Sequence, residues 1–213
     1  MNDILIQKFT TVGLRTIAFA YKDFTLEEFQ NIKETYNNFA TEEDRSILET
    51  QLTLVGVFAL FDPLRAKVSR AVQFAGLGHM TVRMVSGDHL ETAKAAAIQA
   101  GIITSEQAKE NLNSLCITGE EFRQLLADKP DKASLKNFRS TFKNGVRVIA
   151  RATPYDKYLL IKTLIEQNKT VAASGEGIAD VDGLNTADVG FAMGTGCSVA
   201  KDNADMILTN DDF

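Results

Sequence analysis

The chain has 213 residues, with 23 Lys and Arg against 28 Asp and Glu and a formal net charge of −5. That balance excludes the basic footprint of a nucleic-acid binder, and no apolar run approaches the ~20 residues of a membrane span. Cys116, Cys197, His79 and His89 are scattered, with no CxxC pair and no zinc spacing. Residues 1–9 lack the basic start and long apolar core of a signal peptide, so a reducing, cytosolic setting is expected.

Residues 12–21 (VGLRTIAFAY) read as a strand with partly alternating polarity, in which Arg15 is the one charge. By spacing alone Arg15 is a solvated strand residue. Residues 25–38 read as a helix, capped by Thr25 with Glu28 completing a capping box, and with Phe29, Ile32 and Tyr36 on one face. Residues 41–49 form a second, highly charged helical piece. The stretch 1–50 shows no repeated strand-helix pattern and reads as the tail of a separate module.

From Gln51 the pattern changes. LTLVGVFAL (52–60) reads as a buried strand ended by Asp62-Pro63-Leu64-Arg65, and Pro63 suits the start of the helix at 66–74. Residues 80–85 are a second strand, ending in Ser86-Gly87-Asp88-His89, and 90–100 a helix with Gly101 as its C-cap. Thr118 with Glu121 behind it caps a helix within 116–126, and 129–144 is polar, an insertion or covering helix. Residues 146–150 are a third strand, followed by the helix 155–167 opened by Thr153-Pro154. Residues 170–173 are a fourth strand, breaking into the turn Ser174-Gly175-Glu176-Gly177. Residues 188–192 and 205–208 add two more. Strand and helix alternating in this way predict an α/β fold: a Rossmann-like parallel sheet with helices on both faces over 51–213.

Several strands end in a group that handles phosphate or metal. Asp62 and Arg65 follow the first, Ser86, Gly87 and Asp88 the second, Lys157 the third, and Glu176 and Asp180 the fourth. In a parallel sheet such loops converge on one crevice. A hydroxyl with backbone N–H groups, a lysine and paired carboxylates suited to Mg²⁺ are the parts of a phosphoryl-transfer site. Each also has an ordinary structural reading: Ser86 and Asp62 as helix caps, Lys157 as a solvated helix charge.

The order GLRT…AYKDF, GVFALFDPLR, TVRMVSGDH, ARATPYDK, SGEGIAD and ADVGFAMGTG…NADMIL…NDDF resembles the cytoplasmic part of P-type cation-transporting ATPases, the calcium pumps above all, from about Gly13 to Phe213. The resemblance implies a haloacid-dehalogenase-like phosphorylation (P) domain over 51–213. Before it, 1–50 would be a short α+β remnant of the nucleotide-binding (N) domain. It implies that Arg15 contacts ATP, that Asp62 and Arg65 belong to the DPxR hinge element, and that Ser86, Gly87 and Asp88 hold the phosphoryl group. Lys157 would neutralise phosphate charge, and Glu176 and Asp180 would stand for the two aspartates of T-G-D-G-x-N-D, with Mg²⁺ as cofactor. The implied setting is the cytoplasmic face of a membrane, with ATP and the membrane helices of the pump as partners. The transported cation, Ca²⁺ by the resemblance, would not be bound by this part.

The departures are specific. No D-K-T-G-T stretch, which carries the family's nucleophile, occurs in the sequence; the chain reads as beginning after it. Glu176 stands for an aspartate, Ala179 for an asparagine, Asp182-Gly183 for Pro-Ala, and Ser86 and Ser174 for threonines. Without the central D-K-T-G-T strand the sheet is expected to carry a gap or an unpaired edge. Three other readings stay open: a degenerate, non-catalytic P-domain-like module binding a nucleotide or partner; the phospholipid-flippase branch of the same family; and a free-standing phosphatase with Asp62 as nucleophile, which lacks the usual second acid because Leu64 stands there.

Overall fold

The computed structural model describes residues 8–9, 12–110, 115–127 and 145–211, so the covering helix expected at 129–144 lies outside the described residues. The elements run β1 (Arg15–Tyr21), α1 (Leu26–Thr35), α2 (Glu42–Ser46), β2 (Thr53–Leu60), α3 (Val68–Leu77), β3 (Met84–Val85) and α4 (Leu90–Ala100). They continue with α5 (Ser105–Glu110), β4 (Cys116–Thr118), α6 (Gly119–Ala127), β5 (Val148–Ala150), α7 (Pro154–Glu166) and β6 (Ala172–Gly175). The last are α8 (Val181–Thr186), β7 (Val189–Met193), α9 (Ser198–Asp202) and β8 (Met206–Leu208). The fold is α/β, as expected. Among the described residues no helix is long and apolar enough to cross a membrane.

The parallel strands do not form one sheet. They form two three-stranded sheets, β3-β5-β4 and β6-β7-β8. The first is built by strict alternation. Val148 and Ala150 of β5 face one way with Cys116 of β4, against Ala93 and Ala97 of α4. Ile149 and Ile117 face the other way, against Phe122 of α6 and Leu160 of α7. The period of two along each strand thus puts a helix on either face. In the second sheet α8 lies against β6 and β7, and the same helix packs on α7, where Gly183 leaves room for Ile161. Helix α7 is therefore common to both sheets. Among the described residues β3 and β4 are the end strands of the first sheet, and β6 and β8 those of the second.

One strand departs from the reading above. The sequence reading sets residues 52–60 at the head of the parallel sheet, but β2 pairs antiparallel with β1, in the register Arg15↔Leu60 through Tyr21↔Thr53 with a shift between Phe19 and Ala20. The cause is length and polarity. At eight residues β2 is longer than any strand of the parallel sheets, and its partner β1 matches it in length and apolar content. The result is a two-stranded ribbon whose Ile17, Phe19, Val55 and Phe58 stay exposed, with Phe19 edge-on to Phe58 at 5.5 Å. At its base Gly13, at φ 81°, lies close to α4: a Cβ there would stand 3.3 Å from that of Ala95. The capping boxes at Thr25 and Glu28 and at Thr118 and Glu121 form as the sequence predicts.

The core and the ribbon should respond differently to truncation. Phe122→Ala, at a site 0% exposed, should lower the unfolding free energy by about 3–5 kcal/mol. Phe58→Ala, on the open ribbon, should cost under about 1.5 kcal/mol, the size of one aromatic pair. Urea unfolding followed by circular dichroism measures both.

Candidate functional site

The site is assembled at the carboxyl ends of β3, β5 and β6. The turn after β6 is shaped by a close approach: a Cβ on Gly175 would stand 2.4 Å from the Cβ of Asp180. With hydrogen there, Asp180 folds back over the turn. Its Oδ2 accepts the backbone N–H groups of Glu176 at 3.0 Å and Gly177 at 3.2 Å. Its Oδ1 accepts from Lys157 Nζ at 2.5 Å, and Lys157 also donates to the carbonyl of Ser174 at 2.7 Å. Lys157 lies in the first turn of α7, capped by Thr153, so the helix after β5 sends its amine to the end of β6. Glu176 is exposed, and its carbonyl accepts the Cys197 N–H at 2.8 Å, which fixes the turn against the loop after β7.

A second group forms after β3. The Ser86 hydroxyl accepts the Asp88 N–H and donates to Asp88 Oδ2, both at 3.1 Å. Arg15, at the start of the ribbon, pairs with Asp88 Oδ1 at 3.1 Å. The turn is stitched to the segment leading into α7: the Ser86 carbonyl accepts the Ala152 N–H and the Asp88 carbonyl the Arg151 N–H, both at 2.9 Å. Gly87 sits within this stitched turn.

The structure thus groups Lys157, Glu176 and Asp180, and separately Arg15, Ser86, Gly87 and Asp88. It joins the two groups through the strand-to-helix connection after β5. Arg65 is directed elsewhere: its Nη1 donates to the Asp211 carbonyl at 2.9 Å. Asp62 is exposed beyond the end of β2, and since β2 is outside the parallel sheets, the reading of Asp62 as a phosphatase nucleophile loses its geometry. Two residues escaped the sequence reading. Asp211 is buried and holds the Thr195 N–H at 3.1 Å and the Thr195 hydroxyl. Asp156, also buried, pairs with Arg123. The T-P-Y-D spacing was a signal for Asp156 as a capping carboxylate; nothing in the sequence pointed to Arg123 or Thr195.

Electrostatics follow the geometry. Burial raises the Asp180 carboxyl, but the Lys157 hydrogen bond, the Glu176 N–H, the Lys157 charge and the Gly177 N–H together outweigh it and hold the group below its ordinary value of 3.8. Asp211 is lowered too, chiefly by the Thr195 hydroxyl. Burial pushes the Cys116 thiol up, as suits a core residue.

No group of three or more His, Cys, Asp or Glu able to hold a metal occurs among the described residues. Both Asp180 oxygens already accept protein donors, while Glu176 is exposed. Such a set does not make an all-protein cage. Of the two carboxylates, Glu176 is the one that could still hold part of a hydrated cation's shell.

Comparison with known proteins adds the lineage. A family model described as "P-type ATPase, cytoplasmic domain N" matches residues 3–67. The chain is 35% identical over 217 residues to a protein named plasma membrane calcium-transporting ATPase 4 from Bos taurus, covering 98% of this chain and 16% of that protein. The human protein of the same name is 36% identical, with the same coverage. Plasma membrane calcium-transporting ATPase 2 of Oreochromis mossambicus is 36% identical over 98% of this chain and 18% of its own length. The chain therefore spans less than a fifth of the length of these curated relatives.

The lowered Asp180 carboxyl sets a pH dependence. Its contribution is fully present above the ordinary value of 3.8 and is lost as pH falls through the lower folded value. The stability gap between the native chain and Asp180→Asn should therefore be constant above about pH 5 and shrink below it. Asp211 is present in both proteins, so the difference isolates Asp180. Urea midpoints of both proteins at stepped pH measure it.

Proposed function

The chain belongs to the P-type cation-transporting ATPase family, and from that premise we propose that it is a cytoplasmic, phosphate-handling portion of a calcium-transporting pump. The reading rests chiefly on one observation, the Lys157 ammonium seated between Asp180 and the Ser174 carbonyl at the end of β6. Residues 1–50 are assigned to the end of the nucleotide-binding domain and 51–213 to the phosphorylation domain. The setting is the cytoplasmic face of a membrane, with ATP and the membrane-embedded remainder as partners.

On this reading each side chain has a role. Lys157 places positive charge where a phosphoryl group gathers negative charge. Ser86 and the N–H groups of its turn supply donors to phosphoryl oxygens. Arg15 meets ATP from the ribbon side, Asp88 holds Arg15 in place, and Arg65 braces the connection after β2 against the C-terminal segment. Glu176 would hold Mg²⁺, which, when bound, neutralises charge on the phosphoryl oxygens. Asp180 fixes the lysine and the turn. The aspartyl nucleophile is not assigned to any residue of this chain, since no D-K-T-G-T stretch is present. β3 and β6 are each an end strand among the described residues, so either edge could receive a further strand on this reading.

A second reading, a non-catalytic module that binds a nucleotide or a partner, is favoured by the turn itself. Glu176 reaches one methylene further than aspartate, and Ala179 offers no side-chain amide. Titration with Mg²⁺ and beryllium fluoride, a phosphoryl mimic, separates the two. Binding that Lys157→Ala weakens by about tenfold or more, the worth of a charge-assisted hydrogen bond, supports the first; titrations indistinguishable between the two proteins support the second. With ATP alone the chain should form no acid-stable phosphoenzyme. Acid-gel detection of one would put a nucleophile inside this sequence.

A further inference from the structure

The residue before Lys157 is the most enclosed carboxylate of the described chain. Asp156 is 0% exposed. Its Oδ2 takes three donors: the Thr153 N–H at 2.8 Å, the Thr153 hydroxyl at 2.9 Å, and Arg123 Nη1 at 2.6 Å. Its Oδ1 is buried with no partner among the described residues. The first two donors belong to the capping box of α7 and are local. The third crosses from α6, and Arg123 is the one full positive charge among these donors. Neutral donors alone leave a buried carboxylate under-compensated. The crossing is tight. A Cβ on Gly119, the first residue of α6, would stand 2.6 Å from Asp156 Oδ2 and 2.9 Å from the Arg151 carbonyl. Only a glycine lets α6 come this close, so α6 is seated directly on the connection that leads into α7.

That connection sets the aim of Lys157. The lysine follows Asp156 in the first turn of α7, and its amine must reach both Ser174 and Asp180 across the boundary between the two sheets. A small rotation of that turn moves a long side chain far, because the error grows along its length. The first turn has three local bonds to hold it: the Thr153 backbone and hydroxyl donors to Asp156, and the Asp156 N–H donated back to Thr153 at 3.3 Å. Those bonds fix the turn to itself. They do not fix it to the rest of the protein. Arg123 and the Gly119 contact do so from α6, beside the Arg151 and Ala152 N–H bonds that tie the preceding residues to the turn after β3.

We propose that Arg123 is a positioning residue for the Lys157 amine. Acting through Asp156, it fixes the first turn of α7 so that Lys157 is presented to the phosphoryl group between Ser174 and Asp180. The inference rests on the phosphate-handling reading above for its consequence, though not for its geometry. It places a determinant of the site on α6, an element that none of the strand-end loops contains. Arg123 itself touches no substrate; its side chain is 41% exposed and its reach ends at Asp156.

The test uses the 213-residue chain labelled with ¹⁵N-lysine, with the Lys157 ammonium resonance assigned by its loss in Lys157→Ala. Arg123→Met should remove or shift that resonance while cooperative unfolding is retained, and should weaken Mg²⁺–beryllium fluoride binding by about tenfold. Arg123→Lys keeps a charge within reach of Asp156 and should restore both readouts to within about threefold. Arg123→Gln, which keeps a donor without the charge, is scored by the same readouts should Arg123→Met not fold. An unchanged Lys157 resonance and unchanged binding in a variant whose melting temperature alone falls would overturn the proposal, since that is the signature of a purely structural pair. If the native chain binds no beryllium fluoride, the phosphate-handling reading fails, and the resonance alone still decides the positioning role.

Discussion

Among the described residues the two sheets share no strand hydrogen bonds, and at the site Lys157 bridges from α7 to the end of β6. Lys157 leaves the first turn of α7 and ends on the carbonyl of β6 and the carboxylate of Asp180. Its side chain is 19% exposed and that of Asp180 22%, so the pair is screened less than a surface pair. A lysine ammonium has three donors, and these contacts account for two. The same atom that ties the sheets together therefore retains capacity for an anion. Structure and proposed chemistry meet in that one group: whatever draws the amine toward phosphate also loosens its hold on Ser174 or Asp180.

The acidic turn divides its labour in a way that follows from side-chain length. Asp180 is short, and it sits where Gly175 has no Cβ. It can fold over the turn and collect two backbone N–H groups on one oxygen while the other faces the lysine. Glu176 is longer, exposed, and held by its backbone against Cys197. It is the carboxylate with reach. On the proposed reading Glu176 is the acid open to a cation, since a ligand reaching Asp180 would have to displace Lys157 or the turn's own amides. The chemistry of the turn is thus graded. One acid holds the scaffold, and the other is presented outward.

The local architecture was largely legible in the sequence, because it depends on signals a few residues apart. The capping pairs Thr25 with Glu28 and Thr118 with Glu121 sit where the spacing put them. Ser86 and Glu176 at strand ends and Lys157 at the start of a helix come together after β3, β5 and β6, whereas Asp62 and Arg65, read into the same series, do not join them. What could not be read was partnership across the chain. Nothing in LTLVGVFAL distinguishes a strand of a parallel sheet from one arm of an antiparallel ribbon, since both are continuous apolar runs; only the match in length with 15–21 decides it. Arg123 carries no local signal, because its meaning comes from a carboxylate buried 33 positions away. Asp211 stands in a run of acidic and amide residues that reads as solvent-exposed, yet it is the one that takes the Thr195 donors.

The ribbon shows how differently the parts are held. The sheets are fixed by buried apolar faces, each worth roughly 25 cal/mol per Å² removed from water. The ribbon keeps Phe19, Val55 and Phe58 exposed, so little such energy fixes it, and a two-stranded ribbon alone is marginal. Its link to the site is Arg15, 59% exposed, paired with Asp88; an exposed pair of this kind contributes about 0–1 kcal/mol. On the proposed reading that weakness is useful. An anionic ligand can take Arg15 from Asp88 at small cost, and the freed Asp88 remains bonded to the Ser86 hydroxyl in its stitched turn. The strong contacts keep Lys157 and Asp180 in register across the two sheets, and the weak one leaves the ribbon's arginine exchangeable between a protein carboxylate and a phosphate.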